Sequence, residues 1–307
     1  MISRMARCCS LIGLLLAAPT LAAANADTEA GHLRCSMCEQ WNQPQAPFNV
    51  FGNTWYVGTR ELSAILVTSP DGHVLLDGAL PQSAPQIQAN IEALGFRIKD
   101  VRLILNSHEH FDHAGGIAAL QGASGARVAA GPAAARVLQA GTVGPDDPQY
   151  DPSDPVHQPK VAKVDAVGDG ETVSVGKLVI IAHATPGHTP GSTTWSWTSC
   201  EGDTCRAVVY ADSLTPVSLG KFRYTGGHGA PDISQLFAAS IAKVAALPCD
   251  IVLSTHPGFT DTMARHAART PTNNPFVDPQ GCKNYAAGGA ERLKARLREE
   301  ATSAGRQ

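Results

Sequence analysis

Three imidazoles and the Asp112 carboxylate fall within six residues at His108-Glu109-His110-Phe111-Asp112-His113. Histidine nitrogen and aspartate oxygen are ligands for zinc, at about 2.0–2.2 Å. On an extended or looping backbone His108 and His110 point the same way, because side chains alternate with period two. Asp112 and His113 are then free to turn toward a second position, so one short run can serve two adjacent metal ions. Chance places such a group poorly in a chain with 11 histidines among 307 residues. Further ligands must come from elsewhere. His188 and His256 each sit in a turn with Gly and Pro, directly after an apolar run. Either one alone reads more readily as a turn residue; beside the main cluster both read as ligands. His32, His73, His157, His183, His228 and His266 have no such setting and read as surface or structural residues.

Three strands must deliver these side chains. One over 101–105 leads into the cluster, one over 178–183 precedes His188, and one over 250–254 precedes His256. Functional side chains commonly sit on loops held by such a scaffold. Further strands are expected over 54–58, 64–68, 73–76, 172–175, 193–197 and 207–210, with Pro70-Asp71-Gly72 as a turn. Ile87, Ile91 and Leu94 recur at helical spacing before Gly95, which predicts a helix over 83–94. Other helices are expected over 117–121, 132–139, 232–247 and 289–301, the last with Leu293 and Leu297 on one face. Residues 27–47 read as an extended arm and 140–160 as a long exposed loop rich in Gly, Pro and Asp. Each half runs strands first and then helix. Two sheets packed face to face, with helices outside, would bury both sets of apolar strands. No linker divides the halves, so 27–307 reads as a single domain.

Composition narrows the rest. A chain 43% hydrophobic and 17% charged is not a disordered polyelectrolyte. A net charge of −3, with no long Lys or Arg run, argues against nucleic acid or an anionic membrane surface as partner. Residues 1–26 read as a secretory signal peptide: Arg4 and Arg7, then an apolar stretch, then Ala24-Asn25-Ala26 before Asp27. An apolar run of about 14 residues is too short to span a bilayer. Export to the periplasm follows, with no membrane attachment after cleavage. Cys8 and Cys9 leave with the signal. Cys35, Cys38, Cys200, Cys205, Cys249 and Cys282 remain, and an even number in an exported chain reads as disulfides. Cys200 and Cys205 flank Glu-Gly-Asp-Thr, a hairpin tip that suits a short-loop disulfide. Cys35 and Cys38 are left to pair locally or to form a Cys-x-x-Cys metal knuckle, for which no second pair exists.

His-x-His-x-Asp-His at 108–113, with His188 and His256, resembles the metallo-β-lactamase superfamily and, within it, subclass B3. The likeness runs from about Asn42 to Glu300. It includes Gly52-Asn53-Thr54-Trp55-Tyr56-Val57-Gly58-Thr59, Leu75-Leu76-Asp77-Gly78, Tyr210-Ala211-Asp212-Ser213-Leu214 and Leu247-Pro248-Cys249-Asp250. Subclass B2 carries Asn in place of His108, and subclass B1 a metal-binding Cys in place of Ser213.

The resemblance implies an α/β fold of the αββα sandwich type, two mixed β-sheets with helices on the outer faces, and two zinc ions per chain at one edge. His108, His110 and His188 would hold the first ion; Asp112, His113 and His256 the second. Ser213 and Thr215 would meet the substrate carboxylate, Gln149 would line the cleft, and Asp77 would support the metal loop from behind. Cys249 and Cys282 would form a disulfide. The implied activity is zinc-dependent hydrolysis of the β-lactam amide bond in penicillins, cephalosporins and carbapenems. A hydroxide shared by the zincs would attack, with Asp112 as the catalytic carboxylate that orients it, and the outcome would be antibiotic resistance. The small-molecule β-lactam is the only partner implied, and the chain is expected to be a monomer. No Gly-x-Ser-x-Gly or Ser-x-x-Lys set suggests a serine enzyme. The alternative is a thioester or lactone hydrolase of the same superfamily. Asp212 keeps it open, because related hydrolases bridge their metals with an aspartate near this point.

Overall fold

Successive residues of the strand Val101–Leu105 enter two different apolar cores, and that alternation sets the architecture. Leu103 and Leu105 face one core with Ile65, Val67, Val74 and Leu76; Ile104 faces another with Leu66, Leu75 and Val128. Residues of a strand point alternately to opposite faces of the sheet, and a sheet covered on both faces reads as a continuous apolar run. The same division recurs in the second half. Val208 and Tyr210 join the first core, while Val209 and Ala211 join a third with Phe237, Ile241 and Val244. Two sheets therefore share an inner core, and each carries helices on its outer face.

The computed structural model describes residues 32–153, 155–227 and 229–304. The expected signal peptide over 1–26 and His228 lie outside the described residues. The first sheet runs in order through β1 (Phe48–Phe51), β2 (Thr54–Tyr56), β3 (Ile65–Val67), β4 (His73–Leu76), β5 (Val101–Leu105), β6 (Arg127–Ala130) and β7 (Asp165–Ala166). It is antiparallel from β1 to β4 and parallel from β4 to β7. In the second half β8 (Thr172–Val175), β9 (Leu178–Ala184), β10 (Thr193–Glu201) and β11 (Thr204–Ala211) are followed by a small hairpin, β12 (Thr225–Gly227) and β13 (Ala230–Asp232), and by β14 (Ile251–Ser254). The second sheet has the order β14-β11-β10-β9-β8, with β11 and β14 parallel.

The helices are α1 (Cys38–Trp41), α2 (Ala84–Ala93), α3 (Phe111–Ala114), α4 (Ile117–Ser124), α5 (Pro132–Ala140), α6 (Ser234–Ala246), α7 (Thr262–Ala267) and α8 (Gly281–Ala304). Ile87 and Ile91 of α2, Ile117 and Leu120 of α4 and Leu138 of α5 cover the first sheet. Phe237 and Ile241 of α6, with Tyr285 and Leu293 of α8, cover the second. Among the described residues no helix is long and apolar enough to cross a membrane.

Several elements differ from their sequence expectation. The arm expected to be extended over 27–47 contains α1. Strand β1 was hidden in a short segment with one polar residue, and β6 in an Ala-rich one beginning at the exposed Arg127. Helix α8 begins at Gly281 rather than near 289. Gly288 and Gly289 look like helix breakers, but Gly289 serves packing: a Cβ there would stand 2.8 Å from the Leu214 Cβ. Three disulfides join Cys35 to Cys38, Cys200 to Cys205 and Cys249 to Cys282. Cys200 and Cys205 are cross-strand partners at the end of the β10–β11 ladder. Cys249–Cys282 ties the approach to β14 to the first turn of α8.

Candidate metal centre

The carboxyl ends of β4, β5, β9, β11 and β14 converge on one edge of the sandwich. Leu76 is level with Leu105 in one sheet, and Ala211 with Ser254 in the other. The chain beyond each end supplies a group: Asp77 after β4, His108 to His113 after β5, His188 after β9, Asp212 after β11 and His256 after β14. Ligands of open sheets with parallel strands bind outside such carboxyl ends.

His108, His110 and His188 bring one nitrogen each within 4.8 Å of one another, and all three are buried. His108, Asp112 and His113 form a second buried group by the same measure, so His108 stands between the two. Beside it lies a tighter triangle. The Asp112 Oδ2 is 3.2 Å from His113 Nε2 and 3.4 Å from His256 Nε2, and the two Nε2 atoms are 3.2 Å apart. Donors placed tetrahedrally about 2.0–2.2 Å from one ion lie roughly 3.3–3.6 Å from each other. The triangle has nearly those edges.

The three imidazoles of the first group are each held from behind by a group distant in the chain. His108 Nδ1 lies 2.7 Å from Asp212 Oδ1, and its buried Nε2 has no hydrogen-bond partner. His188 Nδ1 donates to the Thr215 carbonyl at 2.7 Å, which leaves Nε2 as its lone-pair atom. His110 presents Nε2 to both oxygens of Asp147 at 3.2 Å, leaving Nδ1 toward the cleft. Such partners fix the tautomer and aim the free nitrogen. Burial, then the charges of His113, His188 and His110, hold His108 well below the ordinary imidazole range. Burial, with His110 next, lowers His188 to about 3. Burial also disfavours charge on His110, but Asp147 outweighs it and raises the group to about 9. Burial opposes ionisation of Asp112, yet His113 and His256 bring its carboxyl well below the usual range. An unpartnered buried nitrogen, nitrogen atoms facing each other and an ionised carboxylate among them form a donor set that can hold a metal ion.

Two buried acids brace the loop. Asp77, at φ 62°, accepts from Asn106 Nδ2 (3.1 Å), Ser107 N (2.8 Å), Ser107 Oγ (2.6 Å) and Tyr210 OH (2.7 Å). A positive φ is tolerated by Asp better than by most residues. Glu109 points away from the donor cluster and accepts from Thr189 Oγ1 (2.7 Å) and Gly191 N (3.0 Å), fastening the His188 turn to the His108 loop. Burial raises Glu109 to about 7. Sequence reading missed the roles of Glu109 and Asp147. Glu109 was hidden as the spacer of a motif; Asp147 was one acid in a loop that offered no pattern to select it.

A cleft of about 600 Å³ opens over the donors, walled by Trp41, Phe111, Val217, Leu219 and Phe259. Gln149 lines it, its Nε2 3.4 Å from His110 Nδ1. Thr215 lines it too. Ser213 is placed differently from the expectation. It is 1% exposed, its hydroxyl meets Thr255 Oγ1 at 2.9 Å, and it is not part of the cleft wall. Ala211 pairs with Ser254 in a parallel ladder, so the chains beyond these two strand ends leave side by side. Asp212 is turned to the back of His108.

A sequence model of the metallo-beta-lactamase superfamily matches residues 57–199. The structure of the Rm3 metallo-beta-lactamase is 49% identical, with a TM-score of 0.84, over 87% of this chain and 99% of that one. MEM-A1, a subclass B3 metallo-beta-lactamase from a soil metagenome library, is 47% identical, with a TM-score of 0.83, over 86% and 99%. SMB-1, solved with mercaptoacetic acid, is 44% identical with a TM-score of 0.80, over 85% and 99%. Curated relatives are more distant. A hydroxyacylglutathione hydrolase of Bradyrhizobium sp. (strain ORS 278) is 27% identical over 63% of this chain, and one of Anaeromyxobacter dehalogenans is 32% identical over 51%. The chain spans 61% and 47% of their lengths. With near-complete coverage of subclass B3 structures, and a donor set built from histidine and aspartate at the carboxyl ends of two packed sheets, the chain belongs to the metallo-β-lactamase superfamily, among its subclass B3 members.

Proposed function

We propose that this chain is a di-zinc β-lactamase that hydrolyses the amide bond of penicillins, cephalosporins and carbapenems. The observation that carries the reading is the triangle of Asp112, His113 and His256, a second donor position completed by histidine beside the group of His108, His110 and His188. His108, His110 and His188 would hold the first ion and Asp112, His113 and His256 the second. When bound, the ions supply Lewis acidity, lowering the pKa of water toward neutrality and polarising the amide carbonyl. The chain's own groups do the rest. Asp212, Asp147 and Thr215 hold the three imidazoles in place from behind, and His110 must give up its extra proton before it can ligate. Asp112, the catalytic carboxylate, stays ionised so that it can accept a hydrogen bond from the attacking water. Trp41, Phe111 and Phe259 exclude bulk water from the reacting bond, while Thr215 and Gln149 offer polar atoms to the substrate's carboxylate and amide.

The protein works as an exported, periplasmic monomer, a single domain over 27–307 released from a signal peptide, and confers resistance on its host. A thioester is the competing substrate, favoured by the curated hydroxyacylglutathione hydrolases. The test is steady-state hydrolysis of one member of each β-lactam class and of an acyl-glutathione thioester, with and without chelator. Chelator-sensitive β-lactam turnover is expected. Zinc-loaded protein that opens no β-lactam but cleaves the thioester would sink the reading.

A further inference from the structure

The chain between β11 and β12 has no regular structure, yet it supplies Thr215, Val217 and Leu219 to the cleft wall. Val217 and Leu219 are 45% and 46% exposed there. A segment without a ladder of its own must satisfy its backbone groups elsewhere. Much of that satisfaction comes from one stripe of α8. Tyr285, Arg292, Arg296 and Glu300 follow at intervals of seven, four and four residues, which places them on one helix face.

The contacts run in order along the segment. The Tyr285 hydroxyl donates to the Asp212 carbonyl (2.8 Å) and accepts from Leu214 N (3.3 Å). Arg292 Nε donates to the Leu214 carbonyl at 3.2 Å. Arg296 Nη2 donates to Ser218 Oγ (2.5 Å) and the Phe222 carbonyl (3.2 Å), and its Nε to Glu300 Oε1 (2.8 Å). The Glu300 carboxylate also accepts from Tyr224 N (2.9 Å), Thr225 N (2.9 Å) and Thr225 Oγ1 (2.8 Å). Glu300 is only 4% exposed, and the bonds to its carboxylate are charge-assisted. On its other side the same segment meets the site. The Thr215 carbonyl receives the His188 Nδ1 proton, and Leu219 N donates to the Pro148 carbonyl at 2.9 Å, one residue from Gln149.

We propose that the Arg292–Arg296–Glu300 stripe of the C-terminal helix is a positioning device that sets the cleft wall. Glu300 and Arg296 touch no donor atom of the metal centre. They act through the backbone of 214–225, which fixes where Thr215, Val217 and Leu219 stand. This rests on the β-lactamase reading for its kinetic consequence but not for its mechanical one. Misplacing a positioning group by about 1 Å can cost up to roughly 100-fold. A displaced wall weakens substrate binding more than it slows the reaction at the metals.

The test uses Glu300→Ala in the full mature chain, with Ser218→Ala as a milder variant that removes one hydroxyl of the segment. Two readouts are taken: amide hydrogen exchange across 214–225, and KM and kcat for a penicillin with a bulky apolar side chain against one with a small side chain. The expected result for Glu300→Ala is faster exchange confined to 214–225 and a KM raised about tenfold for the bulky substrate, with kcat changed less than about threefold. Ser218→Ala should show the same pattern, weaker. Should Glu300→Ala not fold, Ser218→Ala decides alone. Unchanged exchange across 214–225, or kcat falling equally for both substrates at constant KM, overturns the proposal. If the wild-type chain opens no β-lactam, the functional reading fails, and exchange still judges the positioning role.

Discussion

Replacing Asp77 by Asn tests how the metal loop is supported. The native carboxylate is fully buried and accepts four hydrogen bonds, two from Asn106 Nδ2 and Ser107 N on Oδ1, two from the Ser107 and Tyr210 hydroxyls on Oδ2. Asparagine keeps the shape and tolerates the positive φ, so the backbone is not the variable. It also keeps one acceptor oxygen for Asn106 and Ser107. Its amide nitrogen, however, would face two hydroxyls that now donate. Ser107 can rotate to accept; Tyr210 has only the Ser63 carbonyl at 3.4 Å as another acceptor. A bond to a charged group contributes about 1.5–3 kcal/mol and a neutral one about 0.5–1.5, so two downgraded bonds cost roughly 2–4 kcal/mol. At about 2–4 °C per kcal/mol, that lowers the metal-free melting temperature by roughly 4–16 °C. Ser107 immediately precedes His108, so metal affinity should also weaken by about 10- to 100-fold, as for other partners that orient ligands. Thermal melts in chelator give the first quantity, and competition against a chromophoric zinc chelator the second. Burial pushes the Asp77 carboxyl upward, against the nearby His113 charge and the Ser107 and Tyr210 donors. If Asp77 were protonated in the native chain, Asn would be nearly silent. An unchanged melting temperature together with unchanged zinc affinity would refute the argument.

Two further outcomes are expected. His256→Ala removes one corner of the Asp112–His113–His256 triangle and should lower bound zinc from two ions to one per chain by metal analysis, with the folded state retained; two ions still bound would remove His256 from the ligand set. Burial raises the Glu300 carboxyl, but Arg296 and the Thr225 and Tyr224 donors outweigh it, so its folded pKa lies below the ordinary value. Its stabilisation is therefore complete above the unfolded value of about 4.3 and is lost as pH falls below it. Glu300→Gln should flatten the fall of melting temperature between about pH 5 and pH 3; parallel acid slopes for the two proteins would contradict this.

Much of the site was legible in the sequence because its parts are local. Six consecutive residues carry four donors, and each outlying histidine follows an apolar strand. The strands over 101–105 and 250–254 were legible because sheets buried on both faces have near-continuous apolar runs, which only Arg102 interrupts in the first. Glu109 and Asp147 escaped because a buried brace has no pattern along the chain. Helix α8 was misjudged at its start because a glycine that permits close packing, Gly289, looks the same in sequence as a glycine that ends a helix.

The sequence by itself determined which donor types exist, their spacing and the strands that carry them. Only the tertiary structure decided which ring nitrogen of His108, His110 and His188 is braced and which is turned to the site. That choice depends on Asp212, Asp147 and Thr215, which lie 104, 37 and 27 residues from the imidazoles they hold. It also turned Ser213 inward to Thr255 and brought the stripe of α8 against the cleft wall. Periodicity describes what a residue does to its own element. Hydrogen bonds between elements depend on how two sheets and their helices pack, and no local pattern encodes that.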